Sequence, residues 1–266
     1  MTDPQPPFVR RSDADGVATV TLDRGDRLNP LSLGMLDALS AEIGRLREDA
    51  SVRVVVLAGA GKHFCAGHDL AEMRARPDEA SQRDLFDVCR QMMLGLLRLP
   101  QPVIARVQGA AVAAGCQLVA TCDLAVASEK AIFALPGVKS GIFCTTPGVA
   151  VARNVSRKRA MELLLTGDSV DARTAAEWGL VNRVVPAEKL DEEVGLLARK
   201  IASHSPEVVR LGKRLFYSQV ERALEPAYAE ASEGMVCNLL MDDAAEGIDA
   251  FLSRRPPTWK GLGAKA

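Results

Sequence analysis

Lys62-His63-Phe64-Cys65-Ala66-Gly67-His68-Asp69-Leu70 follows the apolar run Val54-Val55-Val56-Leu57-Ala58 and precedes a segment rich in Ala, Glu, Met and Arg. The run is β-branched and short enough for a buried strand. The later segment suits a helix. A glycine-containing turn from strand to helix leaves backbone N–H groups without partners. Such groups bind an anion, or stabilise an oxygen that gains negative charge during a reaction. The plainer reading makes Gly67 a requirement of backbone shape and Asp69 a helix cap.

The chain has 266 residues, room for one large domain or two small ones. Its 33 Lys and Arg nearly balance 34 Asp and Glu. No basic excess calls for nucleic acid, and no charge run calls for a membrane surface. No apolar run approaches the length of a membrane span. Near the start, Pro4, Pro6 and Pro7 interrupt any apolar core of a secretory signal, so a cytoplasmic location is expected. The six cysteines (Cys65, Cys89, Cys116, Cys122, Cys144, Cys237) show no C-x-x-C spacing and read mostly as reduced, buried small side chains. With only three histidines, no dedicated metal site is expected.

Residues 1–13 read as a mobile arm, 14–200 as an α/β core and 201–266 as a C-terminal helical region. Strands are expected at 17–22, 52–58, 102–107, 124–127, 131–134 and 183–185. Residues 23–30 read as a loop. Ser32 caps a helix over 33–47 that aligns Leu36, Leu39, Ile43 and Leu46. A second helix, 81–99, aligns Leu85, Val88, Met92 and Leu96 and stops at Pro100 and Pro102. From Ala110 to Ala120 the side chains are mostly small, which lets a helix pack closely or a ligand approach the backbone. In the second half, Gly167 ends a helix over 156–166. Asp171 caps a helix that ends at Gly179. Helical stretches cover 187–203, 206–220 and 226–254, the last with breaks allowed. Strand–helix alternation followed by helices implies an α/β core with a helical region that covers it or packs on another subunit.

Taken in order, Phe64-Cys65-Ala66-Gly67-His68-Asp69-Leu70, Gly109 through Cys122-Asp123, Leu165-Thr166-Gly167-Asp168, Ala175 to Val181, and Glu246-Gly247 to Phe251 resemble the crotonase (enoyl-CoA hydratase/isomerase) superfamily. Within it, Ala113 to Leu118 and Phe143 to Ala150 resemble the group called enoyl-CoA hydratase domain-containing protein 3. The resemblance implies a crotonase-like fold of repeated ββα units with a C-terminal helical trimerisation region, assembled as a homotrimer or a hexamer (a dimer of trimers). It implies an acyl-CoA thioester ligand, with coenzyme A entering as part of the substrate and no separate cofactor. The thioester carbonyl would lie between the backbone N–H groups of His68 and Ala114, forming an oxyanion hole. Each such donor contributes on the order of 3 kcal/mol when charge develops on that oxygen. By position, the Ala66 carbonyl would meet the adenine. Gly67, Asp69, Leu70 and Cys144 would line the ligand site. Phe251 and Arg254 would reach the ligand of a neighbouring subunit. Lys213 is a phosphate candidate, although a helix bearing Arg210, Lys213 and Arg214 reads as readily as a solvated face. The His68 side chain is expected to line the pocket, Asp69 to cap the loop, and His63 and His204 to lie on the surface.

The resemblance breaks at the acids. Hydratases of the superfamily use two glutamates, and those positions here are Gln117 and Gly137. An amide holds a water but does not take its proton near neutral pH. Acid–base groups typically contribute roughly 10²–10⁴-fold each. Three functions stay open: an acyl-CoA enzyme with its acid or base elsewhere (Asp69, His68 and Cys144 are the nearby titratable groups), a malonyl-type acyl-CoA decarboxylase, or a non-catalytic acyl-CoA binding protein. Hydration created by replacing Gln117 and Gly137 together with Glu would mean an intact scaffold that lacks only the acids, and no gain would leave open a pocket reshaped beyond the two positions.

Overall fold

Residues 7–260 are described by a computed structural model. In chain order the elements begin with strands β1 (Val9–Ala14) and β2 (Val17–Leu22), helix α1 (Leu33–Glu48), strand β3 (Val54–Gly59) and helices α2 (Leu70–Ala75) and α3 (Glu79–Leu97). Then come β4 (Val103–Val107), β5 (Ala110–Val112), α4 (Ala114–Thr121), β6 (Leu124–Ser128), β7 (Ile132–Ala134), α5 (Thr145–Val151), α6 (Arg157–Thr166), β8 (Ser169–Asp171), α7 (Ala172–Glu177) and β9 (Arg183–Val185). The chain continues as α8 (Leu190–Ala202), α9 (Pro206–Gln219), α10 (Leu224–Leu239) and α11 (Asp242–Leu252). None of the described helices is long and apolar enough to cross a membrane.

A six-stranded sheet has the order β1-β2-β3-β4-β6-β9, and a three-stranded sheet has the order β5-β7-β8. All neighbours in the large sheet are parallel except β1 and β2. The unbroken apolar run of β3 follows from burial on both faces. Val55 and Leu57 face the main core, with Leu36, Leu39 and Ile43 of α1 and Met92 and Leu96 of α3. Val54 and Val56 face the other way, where Leu190, Val194, Leu197 and Ala198 of α8 cover them together with Ile104 and Val126. The helix stripes read from the sequence are therefore the buried ones. Helix starts follow the expected caps: the Ser32 hydroxyl accepts from Met35 N–H, and the Asp171 carboxylate accepts from Thr174 N–H. Gly167 ends α6 in the left-handed region at φ 64°.

Three expectations need correction. Residues 9–13 are not part of an arm: β1 pairs antiparallel with β2 from Val9↔Leu22 to Ala14↔Val17. The strand is an edge with a polar outer face, so its sequence lacks apolar alternation. Arg11 anchors it through Asp13, Asp49 and the buried Glu42. Residues 1–6 of that arm, and 261–266 of the C-terminal region, lie outside the described residues. The proposed boundary at 200 falls inside α8, which packs on the sheet. The small-residue run from Ala110 is two elements, strand β5 and helix α4, because Ala113 at φ 49° turns the chain between them. Helix α5 was not expected from the sequence; the break allowed for in the 226–254 stretch falls between α10 and α11 at Leu240 and Met241.

Candidate functional site

β3 delivers the chain into the loop of residues 60–69, and β5 runs beside that loop. Phe64 and Cys65 N–H both donate to Ala110 O, at 3.0 and 3.1 Å, and Val112 N–H donates to Cys65 O at 2.9 Å. This ladder sets the loop against the turn that leads into α4. A Cβ on Gly115 would lie 2.1 Å from Cys65 O, and one on Gly109 would lie 2.1 Å from Lys62 O. Both positions exclude any side chain. Gly67 has φ 92°, and a Cβ there would lie 3.0 Å from Val112 O. The loop and the helix start thus touch backbone to backbone.

That contact sets the Gly67–His68 turn against the N-terminus of α4. Ala114 is the first residue of an eight-residue helix. Its N–H has no intrahelical acceptor and lies at the positive end of the helix dipole. Among the described residues, neither the His68 N–H nor the Ala114 N–H donates to a protein acceptor. The Ala66 carbonyl also meets no described donor, while its N–H donates to Leu28 O at 3.0 Å. Asp69 is the α2 cap, its Oδ1 accepting from Ala71 and Glu72 N–H at 3.0 and 3.1 Å. Leu70 opens that helix, with its side chain largely exposed.

The His68 imidazole sits edge-on to the Phe86 ring of α3, centroids 5.3 Å apart. Its Nε2 is buried with no hydrogen-bond partner. Burial lowers its pKa to about 4. The ring is neutral at physiological pH.

Gln117 lies one turn into α4, only 7% exposed, and its Oε1 has no hydrogen-bond partner. An unpartnered buried carbonyl oxygen is costly in a core, and it is a feature of a ligand-facing amide. Gly137 lies in a short 3-10 turn (Pro136–Ser140) before α5. Its N–H donates to the Cys144 Sγ at 3.3 Å, and its carbonyl accepts from Ile142 N–H at 2.9 Å. A Cβ there would lie 2.3 Å from Ile142 O and 2.8 Å from the Cys144 Sγ. A side chain at Gly137, where the resemblance would place a second acid, would thus meet the Ile142 carbonyl and the Cys144 thiol. Burial raises the pKa of Cys144, which keeps it a neutral thiol.

The remaining expected residues separate. Lys213 is neither a solvated nor an available cation. Its Nζ donates to Asp123 Oδ2 at 2.6 Å and to Gln101 O at 3.0 Å, and its side chain is 7% exposed. The same Oδ2 accepts from Val103 N–H at 2.6 Å. The ammonium therefore ties α9 to the start of β4. Phe251 and Arg254 are exposed at the end of α11, which packs on α9 and α10. His204 is exposed as expected. His63 is half-buried instead of superficial, and its Nδ1 accepts from Ala110 N–H at 3.2 Å. Five cysteines are buried and reduced, with Cys237 exposed. No cluster among the described residues could hold a metal ion. A groove of about 710 Å³ between the end of α3 and α9 includes Lys213, and another of about 610 Å³ flanks β2 and α8 and reaches Gly61; neither is lined by His68, Ala114, Gln117 or Gly137.

Sequence reasoning missed Phe86, Gln108 and Asn29. Gln108 Nε2 donates to Gly59 O and His63 O at 2.7 and 2.9 Å, bracing the loop from below. A glutamine before the glycine of a strand end gave no signal for this. Asn29 lay in a stretch read simply as loop.

Comparison with known proteins identifies the family and the fold. The sequence profile of the enoyl-CoA hydratase/isomerase family matches residues 12–262. Rat (Rattus norvegicus) mitochondrial enoyl-CoA hydratase domain-containing protein 3 is 43% identical over 255 residues, 96% of this chain and 85% of that one. The crystal structure of an enoyl-CoA hydratase of Mycobacterium smegmatis superposes with a TM-score of 0.94 at 52% identity, covering 96% of this chain and 99% of that one. The crystal structure of human enoyl-CoA hydratase domain-containing protein 3 gives 0.92 at 44% identity, covering 95% and 100%. The fold is crotonase-like, and the chain belongs to the enoyl-CoA hydratase/isomerase family.

Proposed function

We propose that the chain binds an acyl-CoA thioester and stabilises its enolate form between the backbone N–H groups of His68 and Ala114. The observation that carries this reading is the pair of unclaimed donors on two segments in direct backbone contact at Gly67. Enolate formation moves charge onto the thioester oxygen, and fixed donors stabilise that charge with little reorganisation. The neutral His68 ring packed against Phe86 adds apolar surface to the loop that carries the His68 donor, and donors act more strongly where water is excluded. Coenzyme A enters with the substrate, and the chemistry requires no further cofactor.

The closure at Gly137 favours one reaction class over hydration. Hydration needs a base for water and an acid for the α-carbon. Gln117 supplies neither, Gly137 has no room for one, and the Cys144 thiol is not a base at neutral pH. Loss of CO₂ from a malonyl-type thioester needs no protein base. The carboxylate leaves as CO₂, the electron pair of the broken C–C bond becomes the enolate, and a solvent proton then adds to the α-carbon. Binding without turnover is the remaining reading.

The experiment is mass spectrometry of enoyl, saturated, 3-hydroxy and malonyl-type CoA esters incubated with the protein in heavy water. Loss of CO₂ with deuterium uptake supports the decarboxylase reading, and addition of water overturns it. Binding without mass change leaves a carrier or sensor. Absence of binding removes the acyl-CoA ligand itself.

We also propose assembly into a trimer or a dimer of trimers. Leu240 and Phe251 are 81% and 82% exposed on the C-terminal helices, an exposure large apolar side chains seldom keep without a partner. In that assembly Phe251 and Arg254 would reach a neighbour's ligand. Light scattering on the purified chain reads the copy number. A cytoplasmic location remains the expectation from composition; the rat relative carries "mitochondrial" in its name, and fractionation of the host cell separates the two.

A further inference from the structure

We propose that Asn29 is a positioning residue for the oxyanion hole, acting through the loop that carries His68; the inference rests on the acyl-CoA reading above. Asn29 is fully buried at φ 51°, and Leu28 before it is at φ 65°. Two successive non-glycine residues in the left-handed region are costly, and asparagine is among the few side chains that tolerate it. Its amide shows what this geometry achieves. Nδ2 donates to Ala60 O, His63 O and Phe64 O at 2.9, 3.1 and 3.0 Å, sharing its two N–H bonds over three carbonyls. Oδ1 accepts from Arg24 N–H at 2.9 Å, so the amide is saturated on both ends.

The neighbouring backbone extends the same clamp. Leu28 O accepts from Ala66 N–H at 3.0 Å, and Leu31 N–H donates to Gly67 O at 2.8 Å. The oxyanion loop is thereby held between two walls. One is the segment 28–31, organised by Asn29. The other is β5, which leads directly to Ala113 and Ala114. The distance between the two oxyanion donors depends on both walls. Only the β5 wall is regular secondary structure. The other is irregular chain, and its hold on Ala60, His63 and Phe64 runs through one side chain, that of Asn29.

The test uses Asn29→Gly, which keeps the left-handed conformation and loses the amide, and Asn29→Asp, which keeps the shape and replaces the donor. Three readouts apply to the full chain. One is the carbonyl stretch of carbon-13-labelled butyryl-CoA on binding. The second is affinity for coenzyme A itself, which lacks the thioester oxygen. The third is amide hydrogen exchange. In both variants the shift of the carbonyl stretch should fall below half that of the parent, and coenzyme A affinity, which the Ala66 carbonyl on the same loop would serve, should weaken with it by about threefold or more. Exchange over residues 63–69 should quicken by roughly tenfold or more, with the large sheet still protected. A full carbonyl shift in folded Asn29→Gly overturns the proposal, as does loosening spread evenly through the sheet. If the parent itself shows no carbonyl shift, the acyl-CoA reading fails. Hydrogen exchange then still decides Asn29, because unchanged protection at 63–69 in Asn29→Gly refutes the clamp. Should Asn29→Gly not fold, Asn29→Asp carries the same comparisons.

Discussion

A Cβ on Gly67 would stand 2.9 Å from the Cβ of Ala113 and 3.2 Å from the backbone nitrogen of Ala114. The glycine that ends the loop therefore sits against the first amide of α4, and a single methyl group there would crowd both. Gly67→Ala should also be strained, since φ is 92°, at a cost of about 1–3 kcal/mol. We expect butyryl-CoA affinity to fall by roughly tenfold or more and the melting temperature to fall with it. Calorimetric titration and thermal melting check both.

Gly137 meets a harder obstacle. Its absent Cβ would overlap Ile142 O at 2.3 Å, and main chain cannot swing aside as a side chain does. Gly137→Ala should destabilise by about 1–3 kcal/mol through overpacking. Replacing Gln117 and Gly137 together by Glu should not create crotonyl-CoA hydration, which settles between the two outcomes that the sequence left open. A urea titration reads the first, and loss of enoyl absorbance reads the second.

The buried imidazole of His68 makes stability depend on acid. Its pKa falls from 6.5 to about 4 on folding, so the unfolded chain takes up a proton at a higher pH than the folded one. The stability from keeping this ring neutral is full above pH 6.5, and it declines as pH falls toward 4. His68→Gln should flatten that part of the curve. Urea midpoints measured between these limits for parent and variant show the difference.

Lys213 tests two readings at once. If its ammonium serves Asp123 and Gln101 O, Lys213→Met leaves the half-buried Asp123 carboxylate with Val103 N–H but without its cation and should cost about 1–3 kcal/mol. Coenzyme A affinity should stay unchanged. A phosphate role would give the reverse: weaker binding with a nearly constant melting temperature. Titration calorimetry and melting together separate them.

Much of the scaffold was legible because local signals and the final burial agree. The stripe on α1, the apolar run of β3 and the caps at Ser32 and Asp171 each follow from neighbours a few residues apart. β1 was missed because an edge strand shows solvent its polar face, and β5 because three small residues carry no strand period. The site divides in the same way. Asp69 announced its cap role by standing before a helical segment. Lys213 did not, since its partner Asp123 is 90 residues away. Asn29 had a faint signal, an Asn-Pro pair that favours a turn, but nothing local named the three carbonyls it holds. The occlusion at Gly137 comes from Ile142, in a turn the sequence did not predict.

The Gly137 closure also bears on how this part of the molecule can be changed. Where a position merely lacks a carboxylate, one substitution supplies it. Here the Ile142 carbonyl and the Cys144 thiol lie where a side chain would start. A carboxylate at this position therefore calls for a rebuilt turn and not for a single exchange, so the constraint resides in the main chain around the residue and not in the residue itself.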